Sequence, residues 1–150
     1  MPSITETALI HADPDAIFDL ISRVEEFPAY SGALQDVTKI GGRTYRWVAK
    51  VGGTTLSWDS VITKFARPHR IAWRSIRGFT NSGAYELTPV PGGTLVTMRI
   101  AYDFHNPLLE RLLAPVVNAV ARAGAADILA KVKARLEHDR AKRPTTGSPI

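Results

Sequence analysis

Pro91-Gly92-Gly93-Thr94-Leu95-Val96-Thr97-Met98-Arg99-Ile100-Ala101-Tyr102-Asp103-Phe104 is the stretch whose reading decides the fold. A Pro-Gly-Gly turn launches a strand in which Val96, Met98, Ile100, Tyr102 and Phe104 share one face, with Thr97, Arg99 and Asp103 on the other. Asn106-Pro107 follows at once, a cap-then-proline helix start. Leu109, Leu112, Leu113, Val116, Val117, Val120, Ile128, Val132 and Leu136 then keep near-helical spacing over roughly thirty residues. A half-buried strand that hands over to one long helix indicates an α+β fold. Pro115 removes a backbone donor and is expected to kink or break that helix. Gly124 costs about 1 kcal/mol relative to alanine in a helix interior, and its expected reason is a close approach of the helix to a sheet.

Upstream, turn signals recur at roughly ten-residue spacing. Gly41-Gly42, Gly52-Gly53 and Arg67-Pro68-His69 separate apolar-alternating runs at 34–40, 44–51, 54–65, 70–76 and 82–88, and connections this short force antiparallel neighbours. Residues 3–10 supply a first strand. Asp13-Pro14-Asp15-Ala16 opens a helix with Asp13 as its cap and Ile17, Phe18, Leu20 and Ile21 as its buried stripe. One more helical turn at 24–27 is stopped by Pro28, and 29–33 and 77–81 read as loops. The order is β-α-α-β-β-β-β-β-β-α, with seven strands. A curved sheet closing over a long helix is hard to fill with short side chains, so an internal cavity is expected.

The chain of 150 residues fits one domain, expected over 1–140, with a polar, disordered tail at 141–150. A domain of that size buries about 68–70% of the surface its unfolded chain exposes. With no cysteine, disulfides, thiolate nucleophiles and Cys-ligated metals are excluded. The first residues show no secretory signal, and no uninterrupted apolar run approaches the roughly 18 residues of a membrane span. A cytoplasmic protein without a transmembrane segment is therefore expected. Most of the net charge of +5 sits in one cluster, Lys131, Lys133, Arg135, Arg140, Lys142 and Arg143 against Glu137 and Asp139. Cations there complement a helix C-terminus, so nucleic acid is not expected as a partner.

Several short runs carry a family resemblance: Ala12-Asp13-Pro14-Asp15-Ala16-Ile17-Phe18, Phe27-Pro28, Trp58-Asp59, Arg70-Ile71-Ala72-Trp73-Arg74-Ser75, Asn81-Ser82-Gly83 and Pro91-Gly92-Gly93-Thr94. With them the chain resembles the polyketide cyclase/dehydrase-like proteins of the START-like (Bet v 1-like, helix-grip) superfamily, from about residue 3 to 136. The resemblance implies a seven-stranded curved antiparallel sheet gripping the C-terminal helix, with a hydrophobic cavity between them. The superfamily includes aromatase/cyclases, lipid and quinone carriers and plant ligand-binding proteins, so the fold leaves the function open.

Strand alternation sorts the candidate wall. Tyr45, Trp47, Ala49 and Val51 share a face, as do Leu56, Trp58, Ser60 and Ile62; Ile71, Trp73 and Ser75; and Tyr85 and Leu87. The expected ligand-binding set is Tyr30, Trp47, Trp58, Ser60, Trp73, Tyr85, Met98 and Tyr102, facing Leu112, Val116 and Val120 of the helix. Aromatic residues on a buried strand face also serve as plain core. Ser75 is a further hydroxyl near this wall, and Arg99 would clamp a carboxylate or enolate if a bulge turned it inward. Asp59 and Arg74 face outward on consecutive strands and read as a surface ion pair. No nucleophile elbow, zinc motif or nucleotide loop is present, His11, His69, His105 and His138 are scattered, and neither a metal nor a cofactor is expected.

Three functions stay open: binding of a hydrophobic or aromatic small molecule (lipid, quinone or polyketide-like); a cofactor-independent polyketide cyclase, aromatase or dehydratase; and a protein-interaction role through the basic helix end, as in ribosome-associated relatives. Cyclisation needs little beyond a shaped cavity and a group that steadies an enolate. The sequence leaves oligomeric state open, a homo-oligomer included.

Overall fold

Both helix starts form as their caps dictate. In this computed structural model, which describes residues 2–142, Asp13 Oδ1 accepts from the Ala16 amide at 3.0 Å and opens α1 (Pro14–Ile21). Asn106 Oδ1 accepts from the amides of Leu108 and Leu109 at 2.9 and 3.2 Å and opens α2 (Pro107–Lys142). Each cap satisfies amides that the first turn of a helix leaves without partners. The strands are β1 (Ser3–Ile10), β2 (Leu34–Lys39), β3 (Thr44–Val51), β4 (Thr54–Ala66), β5 (Arg70–Gly78), β6 (Thr80–Val90) and β7 (Gly93–Asp103), with a 3-10 helix over Val24–Ala29 between α1 and β2. They make one seven-stranded antiparallel sheet in the order β1-β7-β6-β5-β4-β3-β2. This is the helix-grip architecture, with α2 lying across the concave face.

The second half of α2 is the anchored half. Ile128, Leu129 and Val132 join Ile10, Ile17, Phe18, Ile21, Leu87 and Val96 in one buried cluster. Lys133 Nζ donates to the Leu9 carbonyl at 2.8 Å and pairs with Glu137 at 2.9 Å. Glu137 in turn accepts from the His11 amide at 3.0 Å. The first half of α2 is different: Leu108, Leu109, Leu112, Leu113 and Val116 are exposed, Leu108 by 65% and Leu112 by 63%. By length and composition Pro107–His138 is apolar enough to cross a membrane, with an 18-residue stretch at a mean hydropathy of 1.4. The expectation of no such segment rests on uninterrupted apolar runs, and the polar residues within α2 interrupt the run without lowering the average below that level. Here the helix is the core helix of a gripping sheet.

Four expectations need correction. Pro115 does not break α2, which runs on from Pro107 to Lys142. Pro115 is exposed, so the carbonyl that loses its donor lies on the solvent side of the helix. Gly124 does approach a neighbour closely, but that neighbour is the loop before β2: a Cβ there would lie 3.2 Å from Ser31 Oγ. The helix continues through residues 141 and 142, two positions expected to lie in the tail; 143–150, with Arg143, and the side chains of 139–142 lie outside the described residues. Finally, β5 and β6 nearly meet: the loop expected at 77–81 is a tight reversal at Gly78 (φ +81°), where a Cβ would lie 2.4 Å from the Ser57 carbonyl oxygen.

The Asp59–Arg74 pair is also replaced, for a reason of register. Between β4 and β5 the register shifts at Asp59/Ser60, so Arg77 stands opposite Asp59 and Arg74 opposite Val61. Asp59 instead accepts two hydrogen bonds from Arg46, its direct partner on β3, at 2.9 and 3.2 Å. That hydrogen bonding holds the Asp59 carboxyl below its ordinary value, against the opposing effect of burial. A carboxyl depressed in the folded state binds fewer protons there than in the unfolded chain. Its contribution is therefore present at neutral pH and lost as pH falls through the folded value. In urea titrations, Asp59→Asn should flatten the decline of stability below about pH 4 relative to the parent protein; identical slopes would show that the pair contributes nothing.

Gly83 sets the shape of the concave face. It stands directly opposite Trp73, and a Cβ there would lie 2.3 Å from Trp73 Cζ2 and 2.6 Å from the Arg99 carbonyl oxygen. The indole lies across the strand where no side chain stands. Gly83→Ala should cost about 1–3 kcal/mol by overpacking and shift the tryptophan emission; a variant with parental stability and spectrum would contradict this packing.

Candidate functional site

A cavity of about 150 Å³ lies between the concave face and α2. From the sheet, Tyr45, Trp47, Trp58, Ser60, Trp73, Tyr85, Met98 and Tyr102 line it. Phe27 and Ser31 contribute from the segment before β2, and Phe79 from the reversal between β5 and β6. Across from them α2 presents Val117, Val120, Ala121, Gly124, Ala125 and Ile128. Large rings thus face small helix residues, and the difference in volume is the cavity.

The rings form a connected series. Trp47 and Trp58, opposite one another on β3 and β4, stack at 5.9 Å with an interplanar angle of 7°. Phe27 lies 6.0 Å from Trp47 and 6.3 Å from Tyr85, and Tyr85 lies 5.8 Å from Trp73. Such offset and edge contacts add directional attraction to the area they bury. They also hold the wall in one shape.

Polar atoms in this wall are few and differ in how they are served. Trp47 Nε1 donates to Ser60 Oγ at 2.8 Å. The Tyr102 hydroxyl donates to Asn118 Oδ1 on α2. Burial raises the Tyr102 phenol above its ordinary value, with Arg122 opposing and Glu110 adding to the rise. Ser31 Oγ, Trp58 Nε1 and Tyr85 Oη are buried without a hydrogen-bond partner among the described residues. Burial pushes the Tyr85 phenol far above its ordinary value, so it stays a protonated donor.

Eight of the eleven sequence-named residues come together in this wall: Trp47, Trp58, Ser60, Trp73, Tyr85, Met98, Tyr102 and Val120. Three do not. Tyr30 is half-buried beside Phe27 and its hydroxyl accepts from Arg135 at 3.0 Å. Leu112 and Val116 are exposed. The stripe Leu112, Val116, Val120 follows four-residue steps alone, and each such step drifts about 40° around a helix with 3.6 residues per turn. The face that turns inward is Val117, Ala121, Ala125, Ile128 and Val132, mixing steps of four and three. Val116 instead meets the β3–β4 turn, where a Cβ on Gly52 would lie 3.1 Å from Val116 Cγ1.

The remaining candidates are placed as follows. Ser75 Oγ accepts from the Asn81 amide at 2.9 Å, which leaves it a role in the β5–β6 reversal. Arg99 is exposed on the convex side, so no guanidinium clamp forms there. His105 Nε2 lies 2.8 Å from Thr80 Oγ1, and His11 Nδ1 lies 3.3 Å from the Gly92 carbonyl oxygen. Among the described residues no three His, Cys, Asp or Glu side chains gather as a metal site. Sequence reasoning missed Phe27, Ser31, Phe79, Asn118 and the small residues of α2. For the alanines and Gly124 the signal was present, since a run of small residues at helical spacing leaves room opposite a bulky strand face.

The family model described as "Polyketide cyclase / dehydrase and lipid transport" matches residues 1–137. No curated protein matches the chain. Among solved structures, the protein TTHA0849 from Thermus thermophilus is similar at a TM-score of 0.78 and 21% identity, over 92% of this chain and 99% of that one. A START superfamily protein from Mycobacterium smegmatis gives 0.71 and 15%, over 91% and 97%. The Zhui aromatase/cyclase from Streptomyces sp. R1128 gives 0.69 and 16%, over 90% and 95%. At these identities the likeness is one of fold.

Ser60→Ala should leave the Trp47 indole N–H without its acceptor and cost about 1 kcal/mol, read as a lower urea midpoint with a changed tryptophan emission. A variant indistinguishable from the parent in both would show that the bond does not hold the wall.

Proposed function

We propose, for a chain that belongs to the polyketide cyclase/dehydrase and lipid transport family, that it binds a hydrophobic small molecule in the cavity between sheet and helix. The observation that carries this reading is the wall itself. Three tryptophans, three buried tyrosines and a methionine surround about 150 Å³, a volume at which an apolar cavity stays dry and takes up a benzene-sized ring. Guests of that size fit the cavity as it stands. A longer lipid or a fused polyketide needs α2 to move, and the weakly buried first half of the helix is the part least held in place. The reading includes the cytoplasmic location expected from the sequence.

A second reading, cofactor-independent cyclisation or dehydration, is favoured by one observation: Tyr85 places a buried hydroxyl, held protonated, in the cavity wall. Such a donor stabilises a carbonyl oxygen as it takes on enolate charge. The two readings are separated by whether a bound molecule leaves changed.

Ala125 lines the cavity and is 2% exposed. Ala125→Phe should fill the space with a ring, abolishing uptake of single-ring and two-ring aromatic probes while the protein stays folded. Native mass spectrometry and calorimetry read both. Uptake undiminished in the filled variant, or no uptake by the parent protein of any probe, would place binding elsewhere or nowhere.

A further inference from the structure

The convex face of the sheet carries charge that the protein itself leaves unanswered. Elsewhere its ions are paired: Arg67 with Asp15 and Asp19, Arg122 with Glu6, and Lys133 with Glu137. On the convex face Arg46 has Asp59 and Arg70 has Glu86. Lys64, Arg74 and Arg99 are exposed there and make no ion pair or side-chain hydrogen bond among the described residues. We propose that these three cations form a docking surface for an acidic protein segment, a helix whose carboxylates stand one and two turns apart. This surface is independent of the cavity and of what the cavity holds.

Register places the three together. Arg99 stands opposite Ala84, Ala84 opposite Ala72, and Ala72 opposite Lys64, so one row crosses four strands. Arg74 lies two residues from that row along β5, opposite Ser82, which is itself opposite Ala101. Strands lie about 4.8 Å apart and rise about 3.4 Å per residue, which puts Arg74 about 8 Å from Lys64 and about 12 Å from Arg99 at the backbone. The positions between them are alanines and a serine, and Ala84 is buried. Side chains that small make a low floor, so the three long cations are free to converge on a partner laid across it.

Chemistry and spacing select the partner. A guanidinium takes a carboxylate through two parallel hydrogen bonds. Acidic residues one and two turns apart on a helix are separated by about 5 and 11 Å, within reach of cations this long at the spacings above. Nucleic acid fits less well. No aromatic side chain stands among the three to stack on a base, and three cations are few beside the roughly 6–10 phosphate contacts of a strong DNA binder. A bilayer fits less well too, because no large apolar side chain lies between the three to enter the acyl region.

The test titrates three probes against the full chain: a helical peptide with glutamate at every fourth residue, a DNA duplex, and phosphatidylserine vesicles. Two triple variants accompany the parent protein. Lys64→Ser/Arg74→Ser/Arg99→Ser removes the patch. Arg23→Ser/Lys39→Ser/Lys131→Ser removes the same charge from exposed positions before the 3-10 helix, on β2 and on α2. The peptide should bind the parent and weaken as salt is added. The patch variant should lose about tenfold in affinity, the sum of three exposed ion pairs, while the charge-matched variant keeps the parent's affinity. Equal losses in the two variants would show that net charge, not this surface, attracts the peptide, and would overturn the proposal. So would a parent that does not bind the peptide, or one that binds DNA or vesicles more tightly. The patch variant should also keep the parent's urea midpoint, because the three side chains hold nothing in the fold; a lower midpoint would give them a structural role and overturn the proposal.

Discussion

The structure depends on a mismatch in side-chain size across one interface. A seven-stranded sheet curls over a single helix, and at the level of Trp47, Trp58, Trp73 and Tyr85 the helix answers with Val117, Ala121, Gly124 and Ala125. Leucines at those helix positions would close the space, as Ile128, Leu129 and Val132 close it one turn further on. Interiors normally pack to crystal-like density, and an unfilled volume costs free energy. The small residues of α2 are therefore the determinant of the cavity, and the rings opposite are its rigid side. Gly83 completes the arrangement by letting Trp73 lie flat across the strand.

Charge is kept off this interior. Lys50, Arg74 and Arg99 stand exposed on the convex side, and the buried Asp59 carboxylate is neutralised there by Arg46. Arg67 ties the β4–β5 turn to Asp15 and Asp19 of α1, and Lys133 with Glu137 ties α2 to the end of β1. None of these ions enters the cavity wall. The low polarity that results strengthens any hydrogen bond made inside and keeps Tyr85 and Tyr102 protonated. An enzyme working there would have neutral donors to use and no cationic clamp.

Much of this was legible in the chain. Turn residues and period-two alternation set the strand order and the inward face, because both are local properties of sequence. The sheet face of the wall followed directly, down to Trp47, Trp58, Trp73, Tyr85, Met98 and Tyr102. Legibility failed where a position depends on a neighbour remote in sequence. The register shift between β4 and β5 moves Asp59 from Arg74 to Arg46, and no local pattern marks such a bulge. At Leu112 and Val116 hydrophobicity misleads where size decides, because in the first half of this helix the leucines are exposed while Val117, Ala121 and Ala125 face the sheet. Ser31 and Phe27 were out of reach, since only the folded chain brings the segment before β2 against α2.

The most direct measurement is a crystal structure of the protein purified from its own host without added ligand. The account predicts electron density for a hydrophobic guest between the sheet and α2. Helix side chains collapsed into that space, with no room left between Ala125 and the tryptophans, would contradict it.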